Sequence, residues 1–207
     1  MIKNYNVDQY GVIHQIESNP FVYDSQYINV GYGNLKTLTD EMAHLRWGYI
    51  CGVIGRTPTS ILDVGYGTGD FLKVAKRCTD QCYGNDLFTD LLPEGCKFVS
   101  DITESHYDVI TFFDSLEHHP DIDFVQNLKC NYAVVSLPWC HNYSDEWFEN
   151  WKHRKPDEHL HHFSHISLEK FMNSKGFKMV SYGNIEDTIR KDPNNKPNIL
   201  TAVFRSC

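Results

Sequence analysis

The hydrophobic pattern of this 207-residue chain changes its period repeatedly after residue 60. Short apolar runs, typical of buried strands, alternate with segments whose apolar residues recur three and four positions apart, as in helices. The runs predict strands at 60–64, 81–86, 96–101, 107–113, 132–137, 177–183 and 198–206. The helical segments lie at 69–78, 122–129 and 167–176, the last with Ser167 as N-cap and Gly176 as stop. This alternation predicts an α/β fold with a mainly parallel sheet covered on both faces.

A longer amphipathic segment precedes the first predicted strand. Its apolar residues between 42 and 54 fall on one face of a helix. Thr37 and Asp40 match a loose capping box at its start, and Gly55 is a suitable stop. Residues 1–36 show only weak periodicity and are interpreted as an irregular N-terminal arm.

The connection between residues 138 and 166 is too long for an ordinary loop of a compact domain. We interpret it as a lid or substrate insertion in a single domain that spans residues 1–207. Tyr143, Trp147 and Trp151 recur every four residues within it, as on one face of a helix. They either pack the insertion against the domain or form an aromatic wall for a substrate, and an aromatic ring can do both.

The composition narrows the class of partner. The net charge is −8, and a field of that sign opposes the phosphate backbone of nucleic acids. The seven cysteines include no C-x-x-C pair, which favours free thiols in a reducing compartment. Neither a membrane-spanning apolar run nor the apolar core of a signal peptide is present, so we expect a cytoplasmic protein.

Three glycines follow the first predicted strand at every second position: Gly65, Gly67 and Gly69 in "ILDVGYGTGD". Glycine permits positive φ and lets a ligand approach the main chain closely. The turn lacks the Lys-Ser/Thr of a P-loop, and its spacing differs from G-x-G-x-x-G. Asp63, two residues before the first glycine, suits a ligand with a cationic amine better than a phosphate.

With Asp63 included, the turn reads D-x-G-x-G-x-G and resembles the first motif of the class I S-adenosylmethionine-dependent methyltransferases. Acidic residues at the ends of the next two strands, Asp86 and Asp101, and the segment "DSLEH" at 114–118 extend the resemblance over roughly residues 45–205. It implies a Rossmann-like, doubly wound sheet of seven strands with the last one antiparallel. In that sheet, the long connection at 138–166 is a lid insertion between strand 5 and its helix.

The resemblance also implies the cofactor, S-adenosyl-L-methionine, and its product S-adenosyl-L-homocysteine. Asp86 would accept both ribose hydroxyls, and Asp101 would meet the adenine amino group. Arg46 is either a bidentate ligand of the methionine carboxylate or part of a solvated helix face. The candidate cofactor-binding residues are Arg46, Asp63, Gly65, Tyr66, Gly67, Gly69, Asp86, Leu87, Asp101, Ile102 and Asp114.

Two further segments resemble a small-molecule branch of this family, which includes ubiquinone-biosynthesis O-methyltransferase-like proteins and methyltransferases of sugars and natural products. They are "SLPW" at 136–139 and a pattern formed by Glu158, His159, Phe163 and Ser164. The resemblance implies methylation of an oxygen or nitrogen of a small molecule. The alternatives are a nucleic-acid methyltransferase, whose fourth-strand motif D/N/S-P-P-Y/W is missing here, and a protein that binds S-adenosylmethionine without methylating.

The histidines are candidates for a general base, because an unperturbed imidazole titrates near pH 6.5. The candidate catalytic residues are His118, His159, His161 and His162. Hydrogen bonds that hold the lid down, or a metal site using His161 and His165 at helical i, i+4 spacing, are the other interpretations, and we expect no metal. Tyr23 and Tyr27 of the arm are candidates to close over the cofactor.

Overall fold

The computed structural model describes residues 2–19, 21, 36–191 and 196–207. Its strands are β1 (Tyr5–Val7), β2 (Ile13–Gln15), β3 (Ile61–Val64), β4 (Cys82–Asn85), β5 (Lys97–Phe98), β6 (Tyr107–Phe113), β7 (Cys130–Pro138), β8 (His161–His162), β9 (Phe177–Gly183) and β10 (Ile199–Ser206). Its α-helices are α1 (Lys36–Ile54), α2 (Asp70–Ala75), α3 (Asp145–Glu149) and α4 (His165–Ser174). Short 3₁₀ helices lie at Thr89–Leu91, Leu116–His118, Asp123–Asn127 and Ile185–Thr188.

The central sheet has seven strands in the order β5-β4-β3-β6-β7-β10-β9. Neighbouring strands from β5 to β7 pair in parallel, and β10 pairs antiparallel with both β7 and β9. The predicted α/β class, the seven strands and the antiparallel last strand are therefore confirmed. Every residue of β6 is buried, as expected for a strand with helices on both faces.

The sheet separates two hydrophobic clusters. One contains Phe163, Phe171 and Phe204 and lies on the side of α4. The other contains Ile50, Phe71 and the apolar residues of α2, on the side of α1. Because the strands between them are anchored on both faces, the carboxyl ends of β3, β4 and β6 form a fixed edge on which a site can be built.

A second, three-stranded antiparallel sheet joins the arm to the lid insertion. Its order is β1-β2-β8, with Ile13 opposite His162 and His14 opposite His161. The prediction of an irregular arm is therefore wrong for residues 5–15. The strands are only two or three residues long, so they carry too little periodicity to be seen in the sequence. The arm and the lid form one structural unit.

Three helix predictions need correction. The 122–129 segment forms only the 3₁₀ helix at 123–127. The last helix begins earlier, with Ser164 as N-cap and Ser167 as its capping-box partner, so Ser167 is not the cap. α1 begins at Lys36, which places Thr37 inside the helix rather than at its cap. Gly55, with a φ of 73°, ends α1 as predicted.

The three aromatic residues of the insertion do not share a long helix. α3 spans only five residues, and Trp147 stacks on Trp151 at 5.3 Å between ring centroids. Both tryptophans pack against a small cluster around Phe148 and Cys140. Tyr143, Trp147 and Trp151 are absent from the walls of both cavities described below. This supports the packing role over the substrate wall. Among the described residues, no helix is both long and apolar enough to cross a membrane.

Candidate active site

The glycine turn runs from the end of β3 into α2. Gly65 has a φ of +77°, and a Cβ atom placed there would lie 2.6 Å from the Cβ of Ser115. Both conditions require glycine, because an L side chain would be strained by the backbone and would clash with the neighbouring loop. Ser115 is itself fixed, since its hydroxyl donates a hydrogen bond to the carbonyl of Val64 at 2.7 Å.

Asp86 follows β4 and lies against this turn. Its carboxylate accepts hydrogen bonds from the main-chain N–H groups of Gly67 at 2.9 Å and Phe88 at 3.1 Å. The hydroxyl of Tyr66 donates to the carbonyl of Phe88 at 2.7 Å. These hydrogen bonds therefore connect the turn to the loop after β4, and they orient the Asp86 carboxylate before any ligand binds.

Two adjoining cavities occupy the carboxyl edge of the sheet. The first, of about 600 Å³, is lined by Arg46, Asp63 and Phe71 together with lid residues such as His159. The second, of about 720 Å³, is lined by Asp86, Leu87 and Phe98 together with Ser18, Asn19 and Phe21 of the arm. Gly65, Gly67, Asp114, His118 and Glu158 line both. The cavities thus form one cleft that runs across the glycine turn.

Asp63 is buried at the base of the first cavity. The Thr111 hydroxyl donates a hydrogen bond to its Oδ1 at 2.7 Å. Burial raises the pKa of Asp63 to about 7, against the lowering effects of the Thr111 hydrogen bond and of Arg46. A carboxylate with this raised pKa binds a cation well, because the cation offsets the cost of burying the charge. This agrees with the predicted preference of Asp63 for a cationic amine.

Four charged side chains form a partly buried cluster at the end of β6, with Glu186 fully buried and Asp114 and Arg190 about one-third exposed. Asp114, with a φ of 52°, accepts hydrogen bonds from Arg46 at 3.1 Å and from Arg190. Glu186 accepts two bonds from Arg46, at 2.7 and 3.0 Å, and pairs with Arg190 at 3.1 Å. The arginines hold the pKa of Asp114 well below its usual range.

This cluster changes the expected role of Arg46. Its Nε and Nη2 donors, which a ligand carboxylate would need for bidentate binding, are bonded to Glu186. Its guanidinium also lies 4.2 Å from the centre of the Phe113 ring. Arg46 is neither a solvated side chain nor a ready bidentate ligand: it is the centre of the charge cluster and forms part of the cavity wall.

Asp101 and Ile102, the candidates at the end of the third predicted strand, do not line the cleft. Asp101 is exposed, and its carboxylate accepts bonds from the main-chain N–H and the hydroxyl of Thr103 at 2.8 and 2.7 Å. Ile102 packs against the core. Neither residue lines a cavity, whereas Ser100 does. The geometry therefore gives no support to the predicted adenine contact of Asp101.

The four candidate histidines fall into two pairs. His118 and His159 line the first cavity, with ring centroids 4.7 Å apart. His161 and His162 lie on β8 and line neither cavity. His161 bonds to His14 at 2.7 Å and to the carbonyl of His119 at 2.8 Å, while His162 packs against Phe148 and Tyr5. The structure thus brings only the first pair to the cleft, and the second pair holds the arm against the lid.

The helical spacing that would make His161 and His165 an alternative metal site does not occur. His161 belongs to a strand and His165 to the first turn of α4. A different group of metal-binding side chains is present: ligand atoms of Glu117, His118 and His159 all lie within 4.8 Å of one another. Tyr23 and Tyr27 lie outside the described residues.

Glu117 and Arg190 are the residues that sequence reasoning missed. In the sequence Glu117 is part of the "DSLEH" motif, and its position directly before His118, after a buried strand, is a usable signal. Arg190 follows a 3₁₀ helix 76 residues after its partner Asp114, and no local pattern connects the two.

The donor set of the cleft fits S-adenosylmethionine. The cofactor carries a sulfonium and an amino group, and the buried Asp63 and the oriented Asp86 supply carboxylates on either side of a turn with no side chain at Gly65. Asp63, Gly65 and Gly67 would hold the methionine part, while Asp86 and Leu87 would hold the adenosine.

The comparisons with known proteins agree with this fit. The family model described as a methyltransferase domain matches residues 49–182, well over half of the chain. No curated protein sequence gives a significant match.

Solved structures share the fold at low sequence identity. The Burkholderia thailandensis 1,6-didemethyltoxoflavin-N1-methyltransferase, solved with S-adenosylhomocysteine, has a TM-score of 0.57 at 14% identity over 98% of this chain and 99% of its own. The magnesium protoporphyrin IX methyltransferase of Synechocystis, also with S-adenosylhomocysteine, has a TM-score of 0.56 at 14% identity, covering 91% and 90%. A chain from the Haloferax volcanii complex of the Trm112 methyltransferase activator with a methyltransferase has a TM-score of 0.60 at 12% identity, covering 90% and 99%. Because the family model spans the glycine turn and the strands that build the cleft, the chain belongs to the methyltransferase domain family and is a class I S-adenosylmethionine-dependent methyltransferase.

Proposed function

We propose that this methyltransferase acts on an oxygen or nitrogen atom of a small molecule. The observation that carries the proposal is the first cavity, which continues past Asp63 and the glycine turn to a wall formed by the lid. Its volume of about 600 Å³ is typical of small-molecule sites. Lys155, His159 and Arg190 supply polar groups there for an acceptor.

The chain's own residues would act mainly by positioning. The cofactor supplies the methyl group; Asp63, Asp86 and the turn orient it. His118 and His159 both line the first cavity, and His118 also lines the second. Burial lowers the pKa of His118, and burial together with the neighbouring His118 lowers that of His159 to about 4. Both imidazoles are therefore neutral at physiological pH, and either can accept a proton from an acceptor hydroxyl or amine.

Two observations favour a small acceptor over a nucleic acid. The net charge of −8 opposes a polyanion. Residues of both the arm and the lid line the cleft, and the main-chain N–H of Asn19 donates to the Asp157 carboxylate at 3.0 Å. The Burkholderia and Synechocystis proteins named above also act, by their names, on small molecules. A nucleic-acid acceptor is the second candidate, and its only support is that nucleic-acid methyltransferases share this fold.

The first experiment is calorimetric binding of S-adenosylmethionine and S-adenosylhomocysteine to the wild type and to Asp86→Ala. We expect at least tenfold weaker binding by the variant, or about 1.4 kcal/mol. Asp90→Ala is the matched control, because Asp90 is an exposed carboxylate four residues away that lines neither cavity. Equal binding by Asp86→Ala and the wild type would remove Asp86 from the site.

The acceptor class is then tested by release of S-adenosylhomocysteine. Panels of hydroxyl, carboxyl and amine compounds are compared with DNA and RNA oligonucleotides. Turnover confined to the small molecules supports the proposal, whereas turnover confined to the oligonucleotides overturns it.

A further inference from the structure

Glu117 has an unusual environment beside the cleft. Its side chain is 1% exposed, and among the described residues neither carboxylate oxygen has a hydrogen-bond partner. A buried carboxylate without donors is costly unless a cation compensates its charge. Arg46 and Arg190, the cations nearby, are bonded to Asp114 and Glu186. Glu117 therefore has the properties of a ligand oxygen held for a positive ion.

The two neighbouring imidazoles are fixed in one tautomer. Nδ1 of His118 lies 2.8 Å from the carbonyl of Glu158, and Nδ1 of His159 lies 2.8 Å from the carbonyl of His153. A carbonyl only accepts, so each neutral ring carries its hydrogen on Nδ1 and its lone pair on Nε2. Hydrogen bonds of this kind orient and strengthen metal-binding histidines in proteins.

These lone pairs converge with the carboxylate. Nε2 of His118 lies 3.8 Å from Oε1 of Glu117, the rings of His118 and His159 are 4.7 Å apart, and the ligand atoms of all three residues lie within 4.8 Å of one another. Two ligands of one ion, each about 2.1 Å from it, lie roughly 3–4 Å apart. Closing the three side chains onto an ion therefore requires shifts of only about 1 Å.

We propose that Glu117, His118 and His159 bind one divalent transition-metal ion at the junction of the two cavities. Two imidazoles and one carboxylate suit ions such as Zn²⁺, Co²⁺ or Mn²⁺, whereas Mg²⁺ and Ca²⁺ prefer oxygen ligands alone. Three protein ligands leave positions open, as in catalytic rather than structural sites.

The position of the ion refines the acceptor class, an extension that rests on the proposed function. His118 lines both cavities and His159 the first, so the open positions face the end of the cleft where the acceptor would lie. With their Nε2 atoms on the ion, His118 and His159 would no longer accept a proton themselves; the ion would take over that role by binding an acceptor oxygen and lowering the pKa of a bound hydroxyl. The site therefore favours a hydroxyl-bearing acceptor over an amine.

The test is a Co²⁺ titration of the full chain after chelator treatment, followed by calorimetry and visible absorption. We expect one ion per chain, with the d–d bands of nitrogen and oxygen ligands. Glu117→Gln and His159→Gln should each weaken binding about tenfold or more. His44→Gln is the control, since His44 is an exposed histidine on α1 and lines neither cavity. A thiolate charge-transfer band would assign the ion to cysteines instead and overturn the proposal.

Thermal unfolding supplies a readout that does not depend on activity. Glu117→Gln should melt no lower than the wild type without metal, because a buried amide, unlike a buried carboxylate, needs no compensating cation. Added Co²⁺ should raise the Tm of the wild type and leave that of Glu117→Gln unchanged. No binding at millimolar Co²⁺, Zn²⁺ and Mn²⁺, or equal binding by both variants, overturns the metal site.

Cofactor binding separates this proposal from the proposed function. If the protein binds S-adenosylmethionine but no metal ion, the metal site is refuted and the proposed function is not. If the protein binds the ion but methylates only oligonucleotides, the small-molecule acceptor is refuted and the metal site is not.

Discussion

The glycine turn and the lid differ in how their polar groups are satisfied. Around the turn, Tyr66, Gly67, Asp86 and Phe88 bond to one another within a short stretch of chain. Some buried side-chain atoms have no hydrogen-bond partner among the described residues, and all of these atoms belong to the arm, the lid or the loop that supports them. They are Tyr5 Oη, both carboxylate oxygens of Glu117, Trp139 Nε1, Arg154 Nε and His162 Nε2.

The glycine turn is a site built by one continuous segment of the chain. The lid side of the cleft is built by several segments that lie far apart in the sequence. The turn's polar groups are paired before any ligand arrives, so its geometry is set by local sequence. The lid brings residues 2–19, 114–119 and 138–166 together, and its polar groups retain binding capacity. Buried groups without partners are uncommon in folded proteins and call for a specific explanation. For Glu117, the explanation proposed above is a bound ion.

The charge cluster joins the two regions, and removing it should have the largest effect. Glu186 is fully buried and accepts bonds from Arg46, Arg190 and the hydroxyl of Ser136. Glu186→Gln leaves two arginines undercompensated, and we expect a loss of about 3–5 kcal/mol in the free energy of unfolding. Chemical denaturation measures it.

The control for that change is Lys73→Met. Lys73 pairs with Asp70 on the surface of α2, and exposed pairs contribute about 0–1 kcal/mol. A Glu186→Gln variant no less stable than Lys73→Met would show that the two regions do not depend on the cluster.

The second prediction concerns the turn alone. Gly65→Ala places a Cβ 2.6 Å from Ser115 in a backbone with positive φ. We expect S-adenosylmethionine to bind roughly 100-fold more weakly, or about 2.7 kcal/mol, by calorimetry. Gly52→Ala on α1 is the control, because no atom lies within 4 Å of a Cβ there. It should stabilise the helix by about 0.5–1 kcal/mol. Wild-type affinity in Gly65→Ala would mean that the turn adapts.

The third prediction is a pH dependence of cofactor binding. The pKa of Asp63 is raised from 3.8 to about 7 in the folded protein. The carboxylate is therefore mostly protonated at pH 6 and mostly ionised at pH 8, and only the ionised form attracts a cation. The Kd for S-adenosylmethionine should fall up to about tenfold over this range.

Asp63→Asn should flatten that profile. The amide oxygen can still accept the hydrogen bond of Thr111, but the group no longer titrates. The same linkage makes the ligand-free wild type less stable as pH rises from about 4 to 7, since the folded state binds a proton that the unfolded chain releases. A Kd of the wild type that does not change between pH 6 and pH 8 would contradict the raised pKa.

The smallest effect is expected at the contact between arm and lid. Gln15 donates to the Asp157 carboxylate at 2.7 Å and accepts from its main-chain N–H at 2.9 Å. Gln15→Ala should cost about 1–2 kcal/mol of stability, measured by denaturation. Gln126→Ala, at an exposed glutamine of the 3₁₀ helix at 123–127, is the control. If the two variants behave alike, the arm is held by its strands alone.

The same contrast explains what the sequence could predict. The strands and the glycine turn were found because periodicity and turn chemistry are local properties. Asp86 is identified by the resemblance, which places an acidic residue at the end of a strand that the pattern predicts. The failures involve partners far apart in the chain: Arg46 with Glu186, and His14 with His161. Asp101 rests on the resemblance alone; in the structure its carboxylate is bonded to Thr103 and lines neither cavity.

The pairing of β2 with β8 also sets an order of events during synthesis. Ile13 of β2 can pair with His162 of β8 only after almost 150 further residues have been synthesised. Contacts of such long range form slowly. A nascent chain can complete the glycine turn and its parallel strands while the arm is still unpaired. A translation product truncated before residue 161 would therefore carry the cofactor turn but lack β8, the strand that pairs with β2.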